Sequence, residues 1–167
     1  MSDLYVLPDL LESGLKVVFC GTAAGAESAK RRAYYAGLNN KFWRTLHEIG
    51  LTPHRLNPSD YRQLLQFGIG LTDIAKTYSG ADSGLRQGHF DRSGLRFKIE
   101  KYAPRAFAFN SKEAAKRFYK TNQIEYGQQP ETVGVTTMFV LPSTSGAASG
   151  PWNIAHWQRL ADFLNTR

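Results

Sequence analysis

Three short apolar runs, each followed by a break and then by a helical pattern, constrain the fold of this chain more than any other feature. The runs are Val17–Cys20, Ala106–Phe109 and Met138–Leu141, and glycine, proline or polar residues follow each of them. A continuous apolar run of this length is typical of a strand that is buried on both faces of a sheet. The pattern therefore predicts buried strands that alternate with helices.

The segments between and after these runs carry apolar residues at helical spacing. Ser111 can cap a helix that buries Ala114, Ala115 and Phe118. Further helices are predicted around Asn40–Gly50, from Asn57, over Leu95–Tyr102, and from Pro151 with the stripe Trp157, Leu160, Ala161 and Leu164. This alternation predicts an α/β fold, a three-layer α/β/α sandwich around a mostly parallel sheet, and the 167 residues suit one domain over 1–167.

Several classes of protein do not fit the composition. No apolar run approaches the roughly 20 residues that span a bilayer, and the first residues lack the features of a signal peptide. The single cysteine, Cys20, cannot form an internal disulfide, so we expect a cytoplasmic protein. The four histidines and one cysteine show no spacing typical of a zinc site.

The chain is basic, with 21 Lys and Arg against 14 Asp and Glu and a formal net charge of +7. An excess of this kind suggests a polyanionic partner such as a nucleic acid. A basic protein with no such partner has the same composition, so charge alone leaves both interpretations open.

The loops that follow the predicted strands are the candidate site, because ligands bind beyond the carboxyl ends of parallel strands. The first, Gly21–Gly25, can bring backbone N–H groups close to a ligand, although a tight turn without a ligand explains it better. The second begins at Asn110, whose amide could read a base edge or cap the next helix. The third, 141–150, is rich in small hydroxylated residues that can approach a phosphate backbone.

Six segments of the chain follow the order, and nearly the spacing, of the motifs of one family. They are Leu10–Gly21, Asn40–Trp43, Gly70–Asp73, Phe109–Lys112, Tyr126–Pro130 and Leu141–Ala147. Together they resemble the uracil-DNA glycosylase superfamily, and most closely its mismatch-specific uracil and thymine-DNA glycosylase branch. Each segment alone is weak evidence, and six in one order over nearly the whole chain are strong.

The resemblance implies the uracil-DNA glycosylase fold and an enzyme that hydrolyses the N-glycosidic bond of uracil in DNA without metal or cofactor. The target base is flipped out of the helix into a pocket. Expected partners are uracil-containing single-stranded and duplex DNA, with no membrane, and we expect a monomer associated with the nucleoid. No lysine in the motifs is an obvious Schiff-base nucleophile, so a monofunctional enzyme is expected. Uracil is the expected main substrate, with hypoxanthine or xanthine as side substrates.

One departure from the family pattern concerns the attacking water. The family's first motif carries an Asn that positions this water, and the matching residue here is Ala23. We expect Asp73 to orient and activate the water instead, as other branches with alanine at this position use an aspartate elsewhere. Alternatively, Asp73 caps the turn that follows it or pairs with Lys76.

The resemblance also assigns roles to other residues. Tyr35 would stack on the flipped base, although ordinary packing is an alternative. Asn110 and the backbone of Thr22 would read the base. Ser28 would lie near the pocket mouth, or else cap a helix. The residues expected to bind DNA are Ser143, Thr144, Ser145, Gly146, Ala147, Lys30 and Arg31, and the first three of them would contact its backbone.

A second departure concerns the gap that a flipped base leaves in a duplex. The family fills it with an arginine, and the matching residue here is Ala147, which is too small for this task. We therefore expect single-stranded DNA to be a comparatively good substrate.

Two other functions remain open from the sequence. The first is a catalytically inactive DNA-binding homologue, because Ala23 replaces the water-positioning residue. The second is a small-molecule hydrolase that uses Ser143 with His156, although no nucleophile-elbow motif surrounds that serine.

Overall fold

The central sheet contains strands at the three apolar runs, the third of which starts and ends one residue earlier than predicted, and two further strands. A computed structural model describes residues 4–146 and 152–166. Within that part the strands are β1 (Val17–Gly21), β2 (Ile69–Asp73), β3 (Ala106–Phe109), β4 (Gly127–Gln128) and β5 (Thr137–Val140). Their order is β2-β1-β3-β5-β4, and every pair is parallel except β4 with β5. The predicted α/β fold with a mostly parallel sheet is confirmed.

Helices connect these strands. They are α1 (Ala26–Arg31), α2 (Phe42–Glu48), α3 (Arg92–Tyr102), α4 (Lys112–Tyr119) and α5 (Ala155–Leu164), with 3₁₀ helices at Pro58–Phe67, Asp82–Gly84 and Gln87–His89. Ser111 caps α4 as predicted, since its Oγ accepts the Ala114 N–H at 3.0 Å. The predicted start of the last helix, Pro151, lies outside the described residues, and α5 has Ile154 as its N-cap. No helix in the described ranges is long and apolar enough to cross a membrane.

Two hydrophobic cores cover the two faces of the sheet. Successive side chains of a strand point to opposite faces, and in β1 Val17 and Phe19 belong to one core while Val18 and Cys20 belong to the other. Helices α2 and α5 and the 3₁₀ helix Pro58–Phe67 pack on the first core. Helices α3 and α4 pack on the second. The sheet is thus the middle of three layers.

The register of the strands brings their carboxyl ends together at one end of the sheet. Gly21 is paired with Asp73 across β1 and β2, and Phe109 is paired with Val140 across β3 and β5. From β1 the chain continues to β2 on one side, and later to β3 on the other. Neighbouring loops diverge at such a point and leave a crevice.

Candidate active site

A cleft of about 980 Å³ opens at the carboxyl ends of the parallel strands. The loops after β1, β2, β3 and β5 all contribute to its walls. Among the residues that line it are Gly21, Thr22, Ala23, Ser28, Tyr35, Asp73, Asn110, Ser143, Thr144, Ser145 and Gly146. The structure therefore gathers most of the predicted site residues around a single cavity.

Asp73 is the last residue of β2, and its carboxylate faces the first loop. The residue is 5% exposed. A Cβ added to Gly21 would lie 2.8 Å from Asp73 Oδ1 and 3.4 Å from Tyr35 Oη, so glycine leaves a space that any side chain would fill. The two residues after Asp73 donate their N–H groups to carbonyls of the first loop, so this turn needs no cap from the carboxylate.

A buried lysine links Asp73 to a second carboxylate. Lys76 Nζ lies 4.0 Å from Asp73 Oδ2 and 3.0 Å from Asp9 Oδ1, and it donates to Tyr34 Oη at 2.9 Å. Asp9 also pairs with Lys98 at 2.6 Å. The ion pair between Asp73 and Lys76 is thus at the outer limit of contact, and Asp9 is the nearer partner of the lysine.

The surroundings of Asp73 oppose its ionisation. Burial raises the pKa of this carboxyl above its ordinary value, and the negative charge of Asp9 adds to that effect. The Lys76 ammonium and a hydrogen bond with the Gly21 backbone lower the pKa, but by less. A carboxylate with a raised pKa in a cleft is typical of a group that accepts a proton during a reaction.

Tyr35 lies beside Asp73 with its hydroxyl buried and its ring partly exposed. Its φ of +53° is in the left-handed region, and its ring stacks on Phe42 with centroids 4.1 Å apart. Within the described ranges the hydroxyl forms no hydrogen bond of good geometry. Burial raises the pKa of Tyr35 well above its ordinary value and the charge of Asp73 adds to this, while the Asn110 side chain opposes it. Trp43 Nε1 donates to the Tyr35 carbonyl at 3.2 Å, which ties the backbone of Tyr35 to α2.

Asn110 is held in one orientation by Thr144. The Thr144 N–H donates to Asn110 Oδ1 at 3.1 Å, and Asn110 Nδ2 donates to Thr144 Oγ1 at 2.9 Å. Because a backbone N–H can only donate, the amide oxygen must face it, and the nitrogen then faces the hydroxyl. These two bonds leave the amide one further N–H and one further lone pair, and the Tyr35 hydroxyl is a neighbour of this side chain. Ser111 caps α4, so the alternative in which Asn110 caps it is wrong.

The family model for the uracil DNA glycosylase superfamily matches residues 8–163. The chain belongs to this superfamily. The fold is similar to a solution NMR structure from Methanosarcina acetivorans that carries the provisional description uracil DNA glycosylase, with a TM-score of 0.64 and 22% sequence identity. The match covers 96% of this chain and 97% of the other. At that identity the second comparison shows the fold alone.

In this uracil DNA glycosylase superfamily member, the first loop is tied to its surroundings through side chains. Thr22 Oγ1 donates to Asp82 Oδ1 at 2.9 Å, and Ala23 lines the cleft. Ser28 is the third residue of α1, whose N-cap is Gly25, so the alternative in which Ser28 caps the helix is wrong. Its Oγ accepts the Ala36 N–H at 3.0 Å, which joins α1 to the segment after Tyr35.

The third loop is divided between buried and accessible residues. Thr144 was expected to contact DNA, but it is fully buried and bonded to Asn110. Its hydroxyl therefore holds the amide. Ser143 Oγ accepts the Ser145 N–H at 3.1 Å, and a Cβ on Gly146 would lie 2.5 Å from Asn39 Cβ. Ala147, expected at the gap left by a flipped base, lies outside the described residues.

The basic residues at the cleft differ from those expected. Lys30 and Arg31 are exposed in the last turn of α1 and are not part of the cleft wall, and Arg31 pairs with Glu27. The wall instead contains Lys41, 5.4 Å from the Trp152 ring centroid, and Lys112, 4.3 Å from that of Tyr126. Lys41 and Lys112 each lie within a quoted motif, but nothing in the sequence distinguished them from other lysines.

The geometry for a serine hydrolase is absent from the described part of the chain. Ser143 Oγ is bonded to a backbone N–H, while the His156 ring lies against Tyr126 and its Nδ1 lies 3.4 Å from Arg159. The hydrogen bond between nucleophile and base that such an enzyme needs is therefore not formed among these residues. Within the same ranges no three His, Cys, Asp or Glu residues are grouped so that they could hold a metal ion.

Proposed function

We propose that this protein is a monofunctional glycosylase that hydrolyses the N-glycosidic bond of uracil in single-stranded and duplex DNA. Membership of the superfamily supports a uracil DNA glycosylase type of function. The proposed reaction and substrate rest on one observation, the buried carboxylate of Asp73, which lies in the cleft with Tyr35 and Asn110. Ala23 has no group that could act on water, and Asp73 is the buried acidic residue among those that line the cleft.

Asp73 acts as the general base in the proposed reaction. It orients a water molecule and accepts one of its protons while the water oxygen forms a bond to C1′ of the sugar. The bond between C1′ and the base nitrogen breaks, and its electron pair leaves with the uracil. The raised pKa of Asp73 suits this role, because a stronger base accepts the proton more readily. The negative charge also favours a sugar that becomes positive in the transition state.

Asn110 selects the base by its fixed amide. Uracil presents a carbonyl acceptor beside an N–H donor, and the N–H and lone pair of Asn110 that Thr144 does not use complement that pair of groups. Cytosine presents the reverse order, and Asn110 cannot rotate to match it without breaking both bonds to Thr144. Hypoxanthine and xanthine carry the same order of groups as uracil, which supports them as side substrates.

Tyr35 and the first loop complete the proposed pocket. One face of the Tyr35 ring packs on Phe42, which leaves the other face for a base. The backbone N–H of Thr22 would meet the uracil oxygen on which negative charge develops as the bond breaks. Ser143 and Ser145 would contact the phosphates of the strand that carries the flipped nucleotide.

Single-stranded DNA is a comparatively good substrate in this proposal, because Ala147 is too small to replace a flipped base in the stack. We expect at most a weak preference for a G·U duplex. A rate on that duplex far above the rate on single-stranded uracil DNA would contradict this part of the proposal.

The test of the function is uracil-dependent strand breakage. The purified protein is incubated with single-stranded and G·U duplex oligonucleotides, and alkali then cleaves the abasic sites. We expect activity on both substrates, and we expect Asp73→Asn to lower it by about 10²–10⁴-fold. Activity that is insensitive to Asp73→Asn would overturn the mechanism but not the function. No excision by the wild-type protein would favour a catalytically inactive DNA-binding homologue, which Ala23 makes the second candidate.

A second variant tests the position of the carboxylate without removing it. In Gly21→Ala the new methyl group would lie within 2.8 Å of Asp73 Oδ1 and push it away. A misplacement of about 1 Å in a catalytic group can cost about 10²-fold in rate, and we expect a loss of that order. Gly88→Ala is the matched control, because Gly88 does not line the cleft and its Cβ would meet nothing within 4 Å. Equal rates for the two variants would contradict the role of Asp73.

A further inference from the structure

The excess positive charge of the chain belongs to one stretch of its sequence. Residues 86–120 contain 10 Lys and Arg against 3 Asp and Glu, an excess of seven that equals the net charge of the whole chain. The other 132 residues hold 11 of each and are neutral as a set. The stretch forms α3, β3 and α4, and both helices pack on the same face of the sheet. The excess therefore lies on one side of the molecule.

Some of these cations have acidic partners and others do not. Arg117 pairs with Glu113 at 2.7 Å, and Lys98 pairs with Asp9 in the network described above. Among the residues that the structure describes, the cations that form no ion pair include Arg92, Arg96, Lys116 and Lys120. These four are exposed or half-buried. Like charges that are grouped in this way repel one another, and a bound anion removes the repulsion.

The two helices are neighbours, and an arginine reaches from each towards the other. The guanidinium carbon of Arg96 in α3 lies 5.1 Å from the ring centroid of Phe118 in α4. The guanidinium carbon of Arg117 in α4 lies 4.8 Å from the ring centroid of Phe90, which precedes α3. A guanidinium held against a ring can bind a phosphate with little further loss of side-chain entropy.

The cations of this region are named here as one surface. The α3–α4 face consists of Arg92, Arg96, Lys116, Arg117 and Lys120. None of these residues lines the cleft, so the face is a surface beside the candidate active site.

Both helices begin at the end of the sheet where the cleft lies. Lys112, the first residue of α4, is part of the cleft wall. The N-cap of α3, Asp91, donates its N–H at 3.1 Å to the carbonyl of Ile74, the residue that follows β2. Lys112, Lys116 and Lys120 are four residues apart, which places their side chains on one side of a helix. A row of lysines thus leads from the cleft along α4 over about 12 Å.

We propose that the α3–α4 face binds the phosphates of the DNA strand that continues beyond the cleft. This inference rests on the proposed function and adds the path of the strand outside the site of the reaction. Phosphate contacts from Lys and Arg hold a strand in position without reading its sequence, which suits an enzyme that acts on uracil in any sequence context. At about 3.4 Å of strand per nucleotide, the row of lysines covers about three to four nucleotides.

A contact of this kind differs from general attraction between opposite charges. General attraction acts on a strand of any length, and every cation of the protein contributes to it. A strand leaves the cleft in two directions, and only one of them follows α4. The α3–α4 face therefore makes binding depend on the length of the strand on one side of the uracil.

The test measures the binding of labelled single-stranded DNA by fluorescence anisotropy in the Asp73→Asn background, where turnover is slow. A short strand with a central uracil is compared with two strands that extend it by about four nucleotides, on the 5′ side or on the 3′ side. We expect only one extension to raise the affinity. Lys116→Gln combined with Lys120→Gln should remove most of that gain. It should also reduce the slope of log K against log salt on that strand by about 1.4, or about 0.7 for each lost phosphate contact.

Arg44→Gln combined with Arg62→Gln is the matched control. It removes two exposed charges from the helices that pack on the other face of the sheet, so it should change the affinity for all three strands alike. No gain from either extension, or an equal gain from both, overturns the proposal. So does a gain that persists in the variant with Lys116→Gln and Lys120→Gln, or a loss in that variant that is equal on the short and the extended strands.

The same measurements separate this proposal from the proposed function, because binding does not require excision. If the wild-type protein excises no uracil, the proposed function fails, and the dependence of binding on strand length still decides whether the strand follows the α3–α4 face. If excision occurs and the length dependence is absent, the path along this face is wrong and the proposed function stands.

Discussion

Asp73 is a costly residue for this fold, because a buried charge must be compensated by partners. Lys76 is its nearest cation at 4.0 Å, but that ammonium is shared with Asp9 at 3.0 Å. The network Asp9, Lys76, Lys98 and Asp73 therefore compensates one carboxylate well and the other poorly. The poor compensation agrees with the raised pKa of Asp73, which suits the proposed general base.

The pH dependence of the reaction should report on this network. A general base must be ionised, so kcat/KM falls as the pH drops through the raised pKa of Asp73. Lys76 lowers that pKa, so Lys76→Met should raise it and move the acid limb of the profile to higher pH. Asp9 raises it, so Asp9→Asn should move the limb to lower pH. The measurement is kcat/KM on single-stranded uracil DNA against pH for the three proteins.

Opposite shifts in the two variants separate an electrostatic effect from damage to the fold. Loss of structure would lower the rate at every pH in both variants without displacing the limb. If Lys76→Met and Asp9→Asn both moved the acid limb in the same direction, that result would contradict the assignment of Asp73 as the titrating group. Circular dichroism of each variant across the pH range is the control for folding.

At the scale of the elements, the site depends on a clamp between two loops. Asn110 follows β3 and Thr144 follows β5, and their two mutual hydrogen bonds join the ends of neighbouring strands. Both residues are buried, at 5% and 0% exposure, so water cannot easily replace a lost partner. The clamp sets the direction in which the remaining donor and acceptor of Asn110 point.

We expect Thr144→Val to damage recognition more than folding. It removes the hydroxyl but keeps the backbone N–H, so Asn110 Nδ2 loses a partner inside the protein at a cost of about 1–3 kcal/mol. The amide is then free to tilt, and kcat/KM on uracil DNA should fall by about tenfold or more. Thr144→Ser retains the hydroxyl and should keep kcat/KM near the wild-type value. Similar activity for the Val and Ser variants would show that the clamp does not orient the amide.

The elements also show which parts of the structure could be predicted from the sequence. Three strands were predicted because each is a continuous apolar run, but β2 (Ile69–Asp73) was noticed only as a motif. In this strand the Thr72 hydroxyl can be buried because it donates a hydrogen bond to Asp9. Gly70 has no side chain, so the Leu10 carbonyl can lie close to its backbone. Both partners are about 60 residues away in the chain, and a local pattern carries no information on such contacts.

The site was also predictable from the sequence only in part. Asn110 was predicted from its place after an apolar run, because parallel strands bring their carboxyl ends together whatever the side chains. Asp73 was predicted from the family resemblance alone, since β2 was not predicted as a strand. The partners that orient them, Thr144 and Lys76, depend on contacts between loops. The sequence suggested a phosphate contact for Thr144, because a hydroxyl suits either role and only burial distinguishes them.

At the scale of the whole molecule, the net charge of +7 attracts DNA but does not by itself tell where the strand runs. Apart from the α3–α4 face, the structure offers two groups of cations. Lys41 and Lys112 lie in the cleft wall beside the Trp152 and Tyr126 rings, where a nucleotide could both stack and pair its phosphate. Lys30 and Arg31 lie on α1 away from that wall.

The salt dependence of binding distinguishes the two groups, because each phosphate contact releases counterions. Binding of single-stranded DNA is measured by fluorescence anisotropy over a range of salt concentrations in the Asp73→Asn background. If Lys112 contacts a phosphate, Lys112→Gln should reduce the slope of log K against log salt by about 0.7. Arg31→Gln removes the same charge from a residue already paired with Glu27, and it should change the slope much less. The reverse order would mean that the strand follows α1, as the sequence suggested, and that the cations in the cleft serve the aromatic rings beside them.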